Sequence, residues 1–203
     1  MKFLEALERE HELIERVAGA LYRWAEENGV EGDAGRFAHF FSVYSGGFHH
    51  GREDGILIPA LVEHLEVPAD RGPIKVIADE HERLVELNER LAADGDREVA
   101  RMIARTLWEH IDKENSVLFV EAAERFPRAG VTELEDREMT PEERAAAALG
   151  EELVEKYPPV DDPDLIRGDG CIACSAFTVT CRGIEAEWWT SWEWEHHFHL
   201  GED

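Results

Sequence analysis

Two histidine–glutamate pairs stand one helical turn apart in this chain, His49 with Glu53 and His110 with Glu114. Each sits in a block that aligns with the other without a gap. His49-His50-Gly51-Arg52-Glu53-Asp54-Gly55-Ile56-Leu57-Ile58 lies against His110-Ile111-Asp112-Lys113-Glu114-Asn115-Ser116-Val117-Leu118-Phe119. The shared pattern is His, then Glu four residues on, then apolar residues. A second repeated signal precedes each block, Glu10-His11-Glu12 and Glu80-His81-Glu82. Side chains at i and i+4 project together from a helix. Imidazole nitrogen beside carboxylate oxygen suits divalent ions such as Fe, Zn or Cu. One His on an apolar face is usually a core histidine with its hydrogen bonds satisfied. Four of them, two with Glu at the same offset and all in a repeat, point to a metal centre inside a duplicated helical pair.

Four long helices must position these groups. Leu4, Leu7, His11, Ile14, Ala18 and Leu21 recur at three- and four-residue steps and predict a helix from about Phe3 to Glu27, ended by Asn28-Gly29. The second helix is expected from Asp33, as N-cap, to about Leu65, with Ser42, Ser45, His49, Glu53, Ile56 and Ala60 inward and a kink or break at Pro59. The third opens near Gly72-Pro73 and runs to about Ala93, with Ile74, Ile77, His81, Leu84, Asn88 and Leu91 inward. The fourth runs from about Asp96 to Phe126-Pro127, with Ile103, Leu107, His110, Glu114 and Val117 inward. Short Gly-containing loops then give an all-α, up-down-up-down four-helix bundle. Thr140-Pro141-Glu142-Glu143 reads as the capped start of a fifth helix ending near Tyr157-Pro158-Pro159. The expected division is a bundle with its extra helix over residues 1–157, and a C-terminal extension over 158–203.

Burying Glu53 and Glu114 without partners costs several kcal/mol per ion, so a cation between the helices is the expected compensation. Gly46, Gly47, Gly51 and Gly55 surround the first ligand block. Close packing against another helix or the C-terminal extension is the favoured reading of these glycines, ahead of a small-molecule passage or a local helix distortion. His39 and His64 belong on the surface or in hydrogen bonds behind the centre.

The chain has 203 residues and a net charge of −25, from 21 Lys and Arg against 46 Asp and Glu. A nucleic-acid backbone would be repelled, since binding it needs clustered Lys and Arg. No apolar run is long enough to span a bilayer, and the charged, amphipathic first residues do not read as a secretory signal. A cytoplasmic protein is expected. A protein partner or a homo-oligomer stays open.

The motifs closely resemble those of the hemerythrin-like, or HHE cation-binding, domains over about residues 1–157. His49-His50-Gly51-Arg52-Glu53-Asp54 is similar to that family's His-His-x-x-Glu-Glu element, and His110-Ile111-Asp112-Lys113-Glu114-Asn115 to its His-Ile-x-x-Glu-Asn element. The resemblance implies a non-haem centre of two Fe ions, bridged by the carboxylates and an oxo or hydroxo group. Its ligands would be His11, His49, Glu53, His81, His110 and Glu114. It implies binding of O2, or of NO or peroxide, for sensing, carriage or detoxification. Oxygen carriers of the family add a His four residues before the third-helix ligand. Here Ile77 stands there, so water or another residue must fill that place. His50 and Asp54 share the i, i+4 spacing and would replace His49 and Glu53 if the second helix were rotated.

The extension holds all three cysteines, Cys171, Cys174 and Cys181, four of the six tryptophans, and His196, His197 and His199. Three thiolates and one of these histidines could make a structural zinc site. A redox pair of Cys171 and Cys174, or thiols packed as small apolar groups, compete with that. Thr178-Val179-Thr180 and residues 188–200 carry strand-like residues, so a small, partly β element is expected. The thiols also leave room for a di-iron redox enzyme, a peroxidase or a factor repairing iron centres. The third alternative is a regulatory module responding to metal or redox state.

Overall fold

The computed structural model describes residues 1–27, 29–30 and 32–160. The expected cysteine–histidine site and the strand-like segments of the extension lie outside the described residues. Within them the chain forms five helical rods. These are α1 (Lys2–Glu26), α2 (residues 33–65), α3 (Gly72–Asp94), α4 (residues 97–128) and α5 (Pro141–Lys156).

Local chemistry sets most of the ends. Pro73 stands in the first turn of α3, where its missing N–H costs nothing. Gly95 closes α3 in the left-handed conformation, with φ 61°. The Asp96 side chain then accepts from the Glu98 N–H at 2.8 Å and starts α4. The expected cap at Asp33 is not formed. Gly32 is the N-cap, and the Asp33 carboxylate instead accepts from Tyr157 at 2.5 Å and from Arg36 at 3.3 Å, tying α2 to the end of α5.

Two expectations about α2 are corrected. The rod is not broken at Pro59, which sits in the first turn of a final α-helical stretch, Ile58–Leu65, directly after a wider π turn. Ser42 is exposed and Ile56 only half-buried. Two π-helical stretches, Phe41–His50 and Glu53–Leu57, interrupt the rod, with hydrogen bonds that reach one residue further than in an α-helix. Ser45, His49, Glu53 and Ala60 keep their expected places on the buried face, and the wider turns let His50 and Leu57 join them there. A third π stretch, Glu114–Leu118, occupies the matching place in α4 and leaves Val117 half-buried beside a buried Leu118. Among the described residues, the glycines around His49 go with this distortion and not with packing against another helix. A Cβ at Gly46 or Gly47 would meet only the carbonyl five residues back in the same rod, at 3.3 Å, and one at Gly55 would meet nothing.

Cross-contacts show the up-down-up-down order. Glu10 meets His49 while Trp24 meets Phe37, so α1 and α2 are antiparallel. Asp54 meets His81 and Ala38 meets Asn88, so α2 and α3 are antiparallel. His11 meets Asn115 and Trp24 meets Arg97, which places α4 antiparallel to α1. The apolar core comes in two parts. One, around Trp24, Phe37, Phe40 and Trp108, fills the end reached by α5. The other, around Leu7, Leu61, Phe119 and Phe126, fills the opposite end. The ligand-type residues lie between them.

The start of α5 is a full capping box. Thr140 accepts from the Glu143 N–H at 3.2 Å, and the Glu143 carboxylate accepts from the Thr140 N–H at 2.7 Å. Arg137 donates to both Glu143 oxygens, at 2.9 and 2.7 Å. The Arg137 bonds, followed by those to Thr140, pull the Glu143 carboxyl from 4.5 down to about 2. This stability is complete above 4.5 and is lost as pH falls from there toward about 2. Glu143→Gln should cost about 1 kcal/mol near neutrality, and the gap to the native protein should narrow as pH is lowered. Urea midpoints across that acid range check it.

Candidate metal centre

α1, α2, α3 and α4 each send buried imidazole to the middle of the bundle, and α2 and α4 add buried carboxylates. His11, His49, Glu53, His81, His110 and Glu114 are between 0 and 5% exposed. All six residues expected at the centre are therefore brought together, and His50 joins them at 5% exposure. They form two overlapping groups. One is His50, Glu53, His81 and His110; the other is His11, His49, Glu53 and Glu114. In each group one ligand-type atom per residue lies within 4.8 Å of all the others. Glu53 belongs to both.

On α2, His50 joins His49 and Glu53 at the centre, whereas Asp54, its partner in the alternative register, does not. Because residues 41–50 are π-helical, consecutive side chains diverge less than in an α-helix, and both His49 and His50 turn inward. The His50 ring stacks on His81 at 4.1 Å and meets His110 edge-on at 5.3 Å. It stands in the half of the centre where Ile77 leaves a ligand place unfilled. Ile77 itself packs into the apolar cluster below. Asp54 points out of the centre and accepts from His81 Nδ1 at 2.9 Å.

Each of the four original histidines is held from behind. His49 Nδ1 donates to Glu10 at 2.9 Å, and His110 Nδ1 to Glu80 at 3.0 Å. His81 Nδ1 donates to Asp54, and His11 Nδ1 to the Asn115 carbonyl oxygen at 2.8 Å. A carboxylate can only accept, so Nδ1 carries the proton and Nε2 presents its lone pair to the middle. The backing groups are braced in turn. Arg52, 1% exposed, bonds Glu10 and grips Asp136 with two bonds of 2.8 Å, while Lys113 bonds Glu80. Such partners fix the orientation and raise the basicity of metal-binding imidazoles.

Glu10, Glu80, Arg52 and Lys113 were not singled out from the sequence as part of the centre. Apart from the Arg52 bonds to Asp136, these contacts obey the internal repeat. Glu10 and Glu80 occupy equivalent places, as do Arg52 and Lys113, and Asp54 and Asn115. A pseudo-twofold relation read from the alignment, rather than from ligand types alone, would have found them. At the centre it breaks where Ile111 aligns with His50, and it changes the chemistry of one backing group, an amide at Asn115 where Asp54 is a carboxylate.

The electrostatics favour a cation. His11 Nε2 lies 3.2 Å from Glu114, His49 Nε2 3.4 Å from Glu53, His81 Nε2 3.4 Å from Glu53 and His110 Nε2 3.3 Å from Glu114. Wherever the imidazole is neutral with Nδ1 protonated, an acceptor faces an acceptor. Six buried atoms here have no hydrogen-bond partner among the described residues: His11 Nε2, His49 Nε2 and all four oxygens of Glu53 and Glu114. Groups left so inside a protein signal an ion, and the donor set of imidazole nitrogen and carboxylate oxygen fits a transition metal. In the metal-free cluster, protons must do the work. Burial, then the charge of Glu114, pushes the Glu53 carboxyl up to about 7. Burial opposes the His81 imidazolium, but its bonds to Asp54 and Glu53 carry it up to about 10. Burial and neighbouring imidazoles hold His49 and His50 well below their ordinary value.

His39 and His64 are exposed, in keeping with their expected surface positions. Among the described residues no helix is long and apolar enough to cross a membrane. Comparison with curated proteins and with solved structures finds no match. Residues 2–122, a stretch that carries every buried histidine among the described residues together with Glu53 and Glu114, match the Hemerythrin HHE cation binding domain. With that match spanning more than half of the chain, the protein belongs to the hemerythrin HHE cation-binding family.

Proposed function

We propose that the centre holds two iron ions and binds O2, or a related small ligand such as NO or peroxide, for sensing, carriage or detoxification. The observation that supports this reading is the set of six orphaned atoms in two overlapping groups that share Glu53. Two groups sharing one carboxylate call for two ions side by side, with Glu53 and Glu114 spanning them. His11 and His49 would hold one ion. His81 and His110 would hold the other, with His50 as a further ligand on that side. Bound iron would supply a reversible redox change and a coordination place for the small ligand. The protein's part is to aim five imidazoles, to keep Nε2 free through the outward Nδ1 bonds, and to exclude bulk water with apolar layers on both sides of the centre.

Protein purified aerobically from iron-replete cells should carry close to two iron ions per chain. It should also show the near-ultraviolet and visible bands of oxo-bridged iron. Metal quantitation and an absorption spectrum check both, and absence of iron and of those bands would sink the reading.

A further inference from the structure

A cleft of ≈ 420 Å³ opens between α2 and α3 and ends on the centre. Its inner wall includes the His50 and His81 rings. The rest of the lining is largely apolar, with Phe41, Leu84, Ile103 and Leu107 as its larger side chains. Its volume falls in the range of sites for small organic ligands, on the order of 300 to 1,000 Å³, and is far more than a diatomic molecule needs. The π stretch of α2 contributes Ser42, Ser45 and Gly46 to the same cleft, so the turn that brings His50 inward also shapes this approach to it. Charge excludes anions, and the apolar walls favour an occupant that carries no charge into them. Asp54, Glu82 and Glu89 line the cleft, all exposed, and no Lys or Arg is among its lining residues. On a chain of net charge −25, such a rim repels anions.

We propose that this cleft binds an uncharged small organic molecule and holds it against the His50 and His81 imidazoles at the edge of the metal centre. The consequence for the metals rests on the di-iron reading; the binding itself does not. The apolar walls take the body of the molecule, and the acidic rim discriminates against carboxylates of the same size.

The test uses the full chain, with and without iron, and two probes of similar shape: 4-fluorobenzyl alcohol, which is neutral, and 4-fluorobenzoate, which is an anion. Binding is followed by fluorine NMR line broadening. The alcohol should bind at least about tenfold more tightly than the benzoate. Ser42→Trp with Val85→Trp, one from each lip and both exposed, should fill the mouth and weaken the alcohol by about tenfold or more while leaving iron content unchanged. Glu82→Lys with Glu89→Lys should raise the affinity for benzoate. In iron-loaded protein the alcohol should also shift the absorption bands. No binding of the alcohol, equal binding by the plugged variant, or benzoate binding as tightly as the alcohol would each overturn the proposal. If iron proves absent while the alcohol binds as described, the di-iron reading fails and the cleft site stands.

Discussion

If the centre holds two ions as proposed, Glu53→Gln should strip it of both, and the same change should make the metal-free protein more stable above neutrality. Glu53 is the residue common to both ligand groups, and its two oxygens face His49 on one side and His81 on the other. An amide keeps the size and loses the charge, so both ion positions weaken together, by more than about a hundredfold if the loss exceeds that of a backing partner. The stability effect has the opposite sign. In the metal-free fold burial and Glu114 raise this carboxyl from 4.5 to about 7. The folded chain therefore takes up a proton in that window, and metal-free stability falls as pH rises through it. Glutamine carries no such burden, and at about pH 8 the metal-free variant should gain on the order of 2 kcal/mol. Iron quantitation, with urea unfolding in the presence of chelator, reads both effects. A variant that keeps two irons, or whose chelated form gains nothing, contradicts the assignment. His50→Ala is the sharp comparison. It touches one ligand group only, so one ion should leave first on dialysis against chelator while the other stays.

Arg52→Leu should cost about 3 kcal/mol or more of folding stability. Arg52 is among the most deeply buried large side chains, at 1% exposed, between the Phe3 and Phe48 rings. It binds Glu10 and Asp136 at once. Removing one partner of a buried ion pair leaves the other charge uncompensated, at roughly 3 to 5 kcal/mol. Glu10 is only 12% exposed and is already raised by burial. Without the guanidinium it loses the group that opposes that rise, and with it part of its hold on His49. A urea midpoint that moves at constant slope measures the loss. A change below about 1 kcal/mol would show that the pair is dispensable.

Periodicity made the five rods and most of their ends legible, because three- and four-residue steps, Asp96, Thr140 and Pro73 act locally. That these six residues meet in the middle of the bundle was legible because both His-x-x-x-Glu and Glu-His-Glu recur in the chain. The π stretches were not. A residue added to one turn hardly changes a hydrophobic pattern, yet it lets His50 lie inside beside His49. The glycines around His49 pointed to an irregularity, but packing was the favoured explanation. The bracing carboxylates were overlooked for another reason. Acidic residues on helices of so acidic a chain look like solvated surface, and only their equivalence in the repeat sets Glu10 and Glu80 apart.

The division of the core has a consequence for how the molecule holds together. Apolar packing stops on either side of the histidine layer, so the two ends share no continuous greasy interior. Communication between them runs along the rods and through the polar waist. If metal fills it as proposed, a loaded waist would clasp four rods at one point and make the ends melt as one cooperative unit. A stripped waist would let each end open on its own, and amide exchange would then report two unfolding units where the loaded protein has one.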